Sequence, residues 1–394
     1  MIKTYILYKK YPVLFILALG TFFMNTSSHL IVPYIGYYFV TQLNISLYLV
    51  GLALTLSGFI QYSGSVFGGL FSEKFGNKTA LIFGIFIRFL GYLLLYLGNP
   101  YIKIISLIVI ALGMIFYQPS SKSIITNIVI NSKRRAVVFS LQNSLGNAGV
   151  IIGPIIGSIF IFYNINIILI SVPILCLIIG FFYYIFIPSY KTKKQSNLLK
   201  NMFINLYSNK HLQTLLLINL LIFFIFIAFL NYLGIFIGTN LNIKLLPYIL
   251  TINALIIIFI GPFLSTLINK INLQKITLYG FFAFGLGNLL FYFSNFYTFL
   301  IGSSCIAVAE ILFFIKLDLE LAKILPNSIA VGVGLLRLFA GIGVALSGIF
   351  SSFLYKTLYD YNNAEFFWLI FSIISFFFLI FTNILIKKQI PSKQ

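Results

Sequence analysis

The sequence predicts an all-α integral membrane protein, with twelve transmembrane helices in two pseudo-symmetric six-helix bundles. Three observations carry that expectation. The 394 residues are 60% hydrophobic and 8% charged, with a mean hydropathy of +1.06, whereas a water-soluble domain carries about a quarter charged residues. The chain also falls into apolar runs long enough to cross hydrocarbon, which takes roughly 20 residues at about 1.5 Å of helical rise each. Finally, the longest polar stretch, Ser189 to Lys210, divides those runs six and six.

Taken in order, the first half holds spans near 12–38, 46–71, 79–98, 101–128, 136–161 and 165–187. The first span follows a basic start, MIKTYILYKK, that resembles a signal peptide. Its apolar run is long and no small-residue cleavage pattern closes it, so it is predicted to be retained as a membrane helix. The second half holds spans near 213–239, 245–269, 274–294, 297–324, 328–355 and 364–386. The domains are therefore an N-terminal bundle over 1–188, a linker over 189–212 and a C-terminal bundle over 213–394. Cys176 and Cys305 lie inside apolar runs, where they read as packing residues and not as a disulfide or metal pair.

Orientation follows from the Lys and Arg residues, because loops rich in them stay in the cytoplasm. One side collects nineteen, among them Lys9, Lys10, Lys74, Lys78, Lys133, Arg134 and Arg135, while the other holds only Lys103, Lys244 and Lys356. Both termini are therefore expected in the cytoplasm, with the chain a multi-pass protein of the plasma membrane, the inner membrane of a bacterium. The net charge of +20 is spread over several loops and a tail. That spread offers no single basic face and excludes nucleic acid as a partner.

The halves align on one another. Shifting Gly69–Gly84 by 196 places Gly84 on Gly280 and Lys74 on Lys270; shifting the fifth span by 195 places Gly146 on Gly341 and Gly153 on Gly348. This pattern fits a duplicated six-span unit whose second copy has eroded. Chance alignment of Gly-rich helices is the alternative.

The loop GLFSEKFGNK between the second and third spans contains Gly69, Glu73, Lys74, Gly76 and Lys78. Gly69 suits close approach of helix ends, and Gly76 suits a tight turn. Glu73 suits the amides at a neighbouring helix start, such as the one near Ser328. Lys74 and Lys78 suit the anionic inner surface. Together they read as a conformational latch, the alternative being a short basic loop and nothing more. This stretch resembles the loop signature G-x-x-x-D-R-x-G-R-R/K of the major facilitator superfamily, with Asn77 where a basic residue is usual. The fifth span carries Gly149, Gly153, Pro154 and Gly157, similar to the antiporter signature G-x-x-x-G-P-x-x-G of that superfamily's exporters. Glycines four apart share one helix face and form a packing groove, and Pro154 removes a backbone hydrogen bond. An ordinary small-residue packing face is the alternative there.

The pattern as a whole, with VGLALTLSGFIQ in the second span and GLLRLFAGIG in the eleventh, resembles the twelve-helix drug:proton antiporter branch, the multidrug resistance transporter H type above all. That resemblance implies proton-driven efflux of small molecules by alternating access. Two departures stand against it. The Arg that exporters often carry four residues before a Gly in the fourth span is absent, Val109 preceding Gly113. The first span offers Asn25, Thr26, Ser27, Ser28 and His29 but no carboxylate.

Ionisable side chains at membrane depth are costly and mark function. Here they are Arg88, Lys122, Glu310, Lys316, Asp318, Glu320 and Arg337, with His29 in the first span. Helical rise puts Glu310 about 21 Å and Arg337 about 14 Å from the cytoplasmic ends of their spans. Glu310 is the expected proton-coupling carboxylate and Arg337 its partner, with a permanent ion pair as the alternative. His29 is a second candidate for the proton, or a hydrogen-bonded filler. Lys316 and Glu320 are expected to form a helix-surface pair. Asn25, Gln61, Gln142, Asn143, Asn231 and Tyr232 are expected to line the substrate cavity, which suits an amphipathic or weakly polar solute. There is no phosphate loop, no metal-spaced His/Cys set and no nucleophile triad. The expected partners are accordingly a small-molecule substrate, protons and the bilayer, with no cofactor, no enzyme activity and a monomeric chain. A nutrient importer or proton-independent facilitator is the alternative, and a receptor or scaffold on the same fold is another.

Overall fold

The computed structural model describes residues 12–129, 132–189, 204, 206, 209–325 and 329–389. Lys9 and Lys10, most of the predicted linker, and Ser328 as a partner of Glu73 lie outside the described residues.

Among the described residues twelve long helical segments follow one another. In the first half these are α1 (Pro12–Tyr37), which runs on into a π-helical turn at Tyr38–Gln42, then α2, α3 (Asn77–Leu97), α4 (Pro100–Ile128), α5 (Ser132–Tyr163) and α6 (Ile165–Phe186). α2 is bent by 47° into α2a (Leu47–Ser63) and α2b (Ser65–Phe75). The second half holds α7 (Lys210–Asn240), α8 (Leu246–Ile268), α9 (Leu273–Tyr292), α10 (Phe296–Ile324), α11 (Ile329–Asp360) and α12 (Phe366–Gln389). Among the described residues nine helices are long and apolar enough to cross a membrane, and the bent pair makes a tenth. The chain is a multi-pass membrane protein.

Asparagine starts many of these helices. Asn99, Asn164, Asn209, Asn272 and Asn295 each sit at an N-cap and accept a hydrogen bond from a backbone amide of the first turn. Each such bond satisfies a donor that the helix leaves unpaired, which is worth about 1 kcal/mol in water. At a membrane surface the same bond lets a helix end lie close to the apolar layer.

The described chain packs as two units, one of Met1–Phe39 with Leu56–Ser196, the other of Val40–Thr55 with Asn197–Gln394. Within the first, α3 packs on α4 and α6, α1 on α5, and α2b on α4. The second unit repeats the scheme six helices later, with α9 on α10 and α12, α7 on α11, and α8 on α10. This shared pairing is independent support for an internal duplication. The first half of α2a belongs to the second unit, where Gly51 lies under Ser352 and the Tyr232 hydroxyl and Thr55 lies against Gly348. The aromatic core of that unit centres on Trp368, which is fully buried and meets Phe291 and Phe367 edge-on at 5.1 Å.

The seam between α1 and α5 is made backbone to backbone. A Cβ on Gly149 would fall 2.5 Å from the Phe22 carbonyl oxygen, one on Gly153 would fall 2.7 Å from the His29 Cβ and 2.9 Å from the Thr26 oxygen, and one on Gly157 would strike the Leu30 carbonyl. The three glycines thus climb α1 turn by turn, and the Tyr34 hydroxyl closes the seam by donating to the Pro154 carbonyl at 2.9 Å. Gly69, by contrast, has nothing within 4 Å of an added Cβ. The close approach expected there belongs to Gly68, whose Cβ would collide with the Ile115 carbonyl of α4. One chemical change therefore has two outcomes. Gly153→Ala is expected to cost about 1–3 kcal/mol through overpacking, and Gly69→Ala to be neutral or to stabilise by up to about 1 kcal/mol through helix propensity. Thermal melting of the purified protein, followed by circular dichroism, checks both.

Candidate functional site

Polar groups in the first unit gather where α1 meets α3, α4 and α5. Gln142 of α5 is buried, and its Nε2 donates to Thr21 Oγ1 at 2.9 Å and to Ser121 Oγ at 2.8 Å, tying α5 to α1 and α4. Asn25 lies against Gly146, and its carbonyl meets His29 Nδ1 at 2.9 Å. His29 is half-buried beside Gly153, so it is part of the glycine seam. Gln61 is half-buried on α2a, and the side chain of Asn143 lies outside the described residues.

Arg88 of α3 is the most deeply buried charge described in this unit. It is 1% exposed, and its Nη2 donates to Ser28 Oγ at 2.5 Å, with the Met24 carbonyl and the Tyr92 hydroxyl each at 3.4 Å. The guanidinium also lies 5.8 Å and 5.9 Å from the ring centres of Tyr92 and Tyr117. Its Nε has no hydrogen-bond partner, and among the described residues no carboxylate forms an ion pair with it. Gly113, whose missing side chain makes room for the Arg88 Cγ, explains how α4 admits it. Sequence reading marks Arg88 as an ionisable side chain at membrane depth. Nothing in the sequence shows that it turns inward onto Ser28.

In the second unit Glu310 of α10 is half-buried and accepts a hydrogen bond from Asn253 Nδ2 of α8 at 3.2 Å. Asn253 also donates to the Ser303 carbonyl at 3.3 Å, and Ser303 Oγ donates to the Ile249 carbonyl at 3.2 Å, so α8 and α10 are stitched together over two turns. Arg337 of α11 is half-buried. The ion pairs among the described residues do not join it to Glu310, which faces an amide where the sequence suggests a guanidinium. Asn231 is half-buried on α7, while Tyr232 is buried and its hydroxyl donates to Ser352 Oγ at 3.0 Å.

Lys316 and Glu320 do pair, at 3.0 Å, but not as an ordinary surface couple. Lys316 is 2% exposed and its Nζ also donates to the Ile271 carbonyl at 2.5 Å, closing the turn between α8 and α9. In the loop predicted to be a latch, Gly76 has φ +94°, a left-handed value that glycine adopts without strain and that lets α2b turn sharply into α3. Across that turn the Ser72 hydroxyl donates to Asn77 Oδ1, and both residues are buried. Lys74 lies over the Phe75 ring and Lys78 over the Tyr184 ring of α6, at 5.2 Å and 5.3 Å, with Glu73 half-buried beside them.

Two sets of six helices with matching internal pairings, stitched by close glycine contacts and buried hydrogen bonds, define a multi-pass helical membrane fold. The family profile for the Major Facilitator Superfamily matches residues 17–315, and the chain belongs to that family. It is 32% identical over 178 residues to the multidrug resistance protein MdtH of Blochmanniella pennsylvanica, a match covering 44% of this chain and 43% of that protein. A Na(+), Li(+), K(+)/H(+) antiporter of Planococcus maritimus is 29% identical over 167 residues, 41% of this chain and 39% of the relative. The matched stretches thus span less than half the length of these two relatives. Among solved structures, the nucleoside transporter NupG superposes with a TM-score of 0.83 at 14% identity, covering 94% of this chain and 99% of that one. A POT family transporter crystallised with 5-aminolevulinic acid gives 0.78 at 15% identity, over 95% and 97%. Those likenesses fix the fold.

Arg88 yields a test of what its burial costs. An unpaired buried charge is expensive, and an apolar side chain of similar length removes that cost. Arg88→Met is therefore expected to melt no lower than the wild type, while Arg88→Ala, which also leaves a cavity, is expected to lose about 2 kcal/mol or more. A comparable loss in both variants, measured by thermal melting, shows that the hydrogen bonds to Ser28 and Met24 outweigh the burial of charge.

Proposed function

We propose that the chain is a proton-coupled exporter of small amphipathic molecules that works by alternating access in the plasma membrane, with both termini on the cytoplasmic side. The observation that carries this reading is the register of Gly149, Gly153 and Gly157 against successive turns of α1. Small residues let the two helix backbones approach closely, and the sequence resemblance gives the same residues as an antiporter signature. The similarity to MdtH and to a cation/proton antiporter supports the same direction.

Glu310 is the proposed proton carrier. Glu73 lies in the last turn of α2b, Asp318 and Glu320 near the Lys-rich end of α10, and Asp360 and Glu365 at or beyond the far end of α11, so Glu310 is the carboxylate placed deepest in the membrane. Its hydrogen bond from Asn253 is charge-assisted while the carboxylate is ionised, and protonation removes the charge that strengthens it. Loading a proton therefore loosens the stitch between α8 and α10. His29, packed in the glycine seam of α1, is the second proposed proton site. The latch role of Gly69, Glu73, Lys74, Gly76 and Lys78 and the cavity role of Asn25, Gln61, Gln142, Asn143, Asn231 and Tyr232 complete the proposal.

A second reading has an observation of its own. α1 carries no carboxylate, which favours a facilitator or importer that needs no proton. Solute counterflow in proteoliposomes, with and without a pH gradient, separates the two. The exporter reading expects accumulation to follow the pH gradient and to fall at least tenfold in Glu310→Gln, with counterflow preserved. Unchanged proton dependence in folded Glu310→Gln rejects the role of Glu310, and exchange indifferent to pH in the wild type rejects proton coupling altogether.

A further inference from the structure

At one end of the second unit the termini of four helices surround a cavity of about 240 Å³. His211 and Thr214 enter from the first turns of α7, Leu273 from the start of α9, Lys323 and Ile324 from the end of α10, and Ile386 from the end of α12. Pockets for drug-sized molecules run from about 300 Å³ upward, so this one suits a smaller group than the proposed transport substrate.

Its chemistry is that of an anion site with an apolar flank. Glu320 also lines it, but that carboxylate is bonded from both sides, by Lys316 at 3.0 Å and Lys323 at 2.9 Å, so the three together carry net positive charge. Lys316 is buried and fixed to the Ile271 carbonyl, whereas the Lys323 side chain is 57% exposed and can turn to a ligand. α7 and α9 both begin here, bringing the positive ends of two helix dipoles to the same space. Lys387 and Lys388 follow Ile386, and Lys275 lies two residues past Leu273, all exposed. Leu273, Ile324 and Ile386 supply aliphatic surface that a free inorganic anion has no use for.

We propose that this cavity holds the phosphate head group of an anionic glycerophospholipid from the leaflet it faces. The phosphate meets Lys323 and His211, and the glycerol and first acyl carbons lie along Leu273, Ile324 and Ile386. This site is separate from the polar groups assigned to transport and stands whether or not the solute is exported.

The test uses the full chain, delipidated in detergent, with dihexanoyl phosphatidylglycerol, dihexanoyl phosphatidylcholine and inorganic phosphate as probes. Native mass spectrometry and thermal shift read the binding. Phosphatidylglycerol is expected to bind saturably and to raise the melting temperature, at least fivefold tighter than either other probe. Lys323→Gln is expected to weaken it about fivefold, the effect of one Lys near an anionic head group. Leu273→Trp, which fills the cavity but keeps every charge, is expected to abolish saturable binding. Equal affinity for phosphatidylcholine, or phosphatidylglycerol affinity unchanged in folded Lys323→Gln, overturns the proposal. Protection by inorganic phosphate equal to that by the lipid assigns the cavity to a soluble anion and overturns it too. Should Leu273→Trp fail to fold, the exposed pair Lys323→Gln and His211→Gln decides alone.

Discussion

Two apolar helices in lipid gain little by exchanging acyl chains for one another, so their contact has to come from close backbone approach and from hydrogen bonds. The α1–α5 seam is where this chain meets that constraint most completely. Three glycines bring carbonyls of one helix onto the Cα atoms of the other, a geometry in which weak Cα–H···O contacts add up. Gln142 and Tyr34 then pin the seam at both ends. The polar cluster of α1 is held in place because the seam holds α1. In the second unit the matching α7–α11 pair has Gly343 against the Leu220 carbonyl and Asn219 donating to the Leu336 carbonyl at 2.7 Å, a sparser version of the same device.

Polar side chains at depth are rarely left to lipid here. Arg88 is wrapped in hydroxyls and rings, Glu310 has an amide, and Lys316 donates a hydrogen bond to a turn carbonyl. Each links helices that would otherwise meet only through side-chain packing. The first unit's interior holds Arg88 without an ion-paired carboxylate among the described residues, whereas the second holds Glu310 and the Lys316–Glu320 pair. The helix pairings match between the two halves while these polar contacts differ.

Much of the architecture was legible because hydrophobic length is a strong signal. Among the described residues the helices fall close to the expected spans, and the antiporter glycines lie on one face as four-residue spacing requires. Contacts between distant residues were not legible. Spacing alone could not tell that Gly68 and not Gly69 meets α4, since adjacent residues point about 100° apart and only the neighbour's position chooses between them. Glu310 and Arg337 share a compatible depth, yet depth leaves rotation about the helix axis open, and Glu310 is turned toward α8. The inward aim of Arg88 depends on the room left by Gly113, a residue 25 positions away.

Asn77 shows what such a departure from a family pattern means physically. The position that usually carries a cation is here fully buried and accepts a hydrogen bond from Ser72 across the Gly76 turn. A basic residue in that place would hold the loop to lipid by attraction between charges, which weakens as salt rises. The Ser72–Asn77 clasp is neutral and sealed from solvent, so this bend keeps its shape in brine as readily as in dilute buffer.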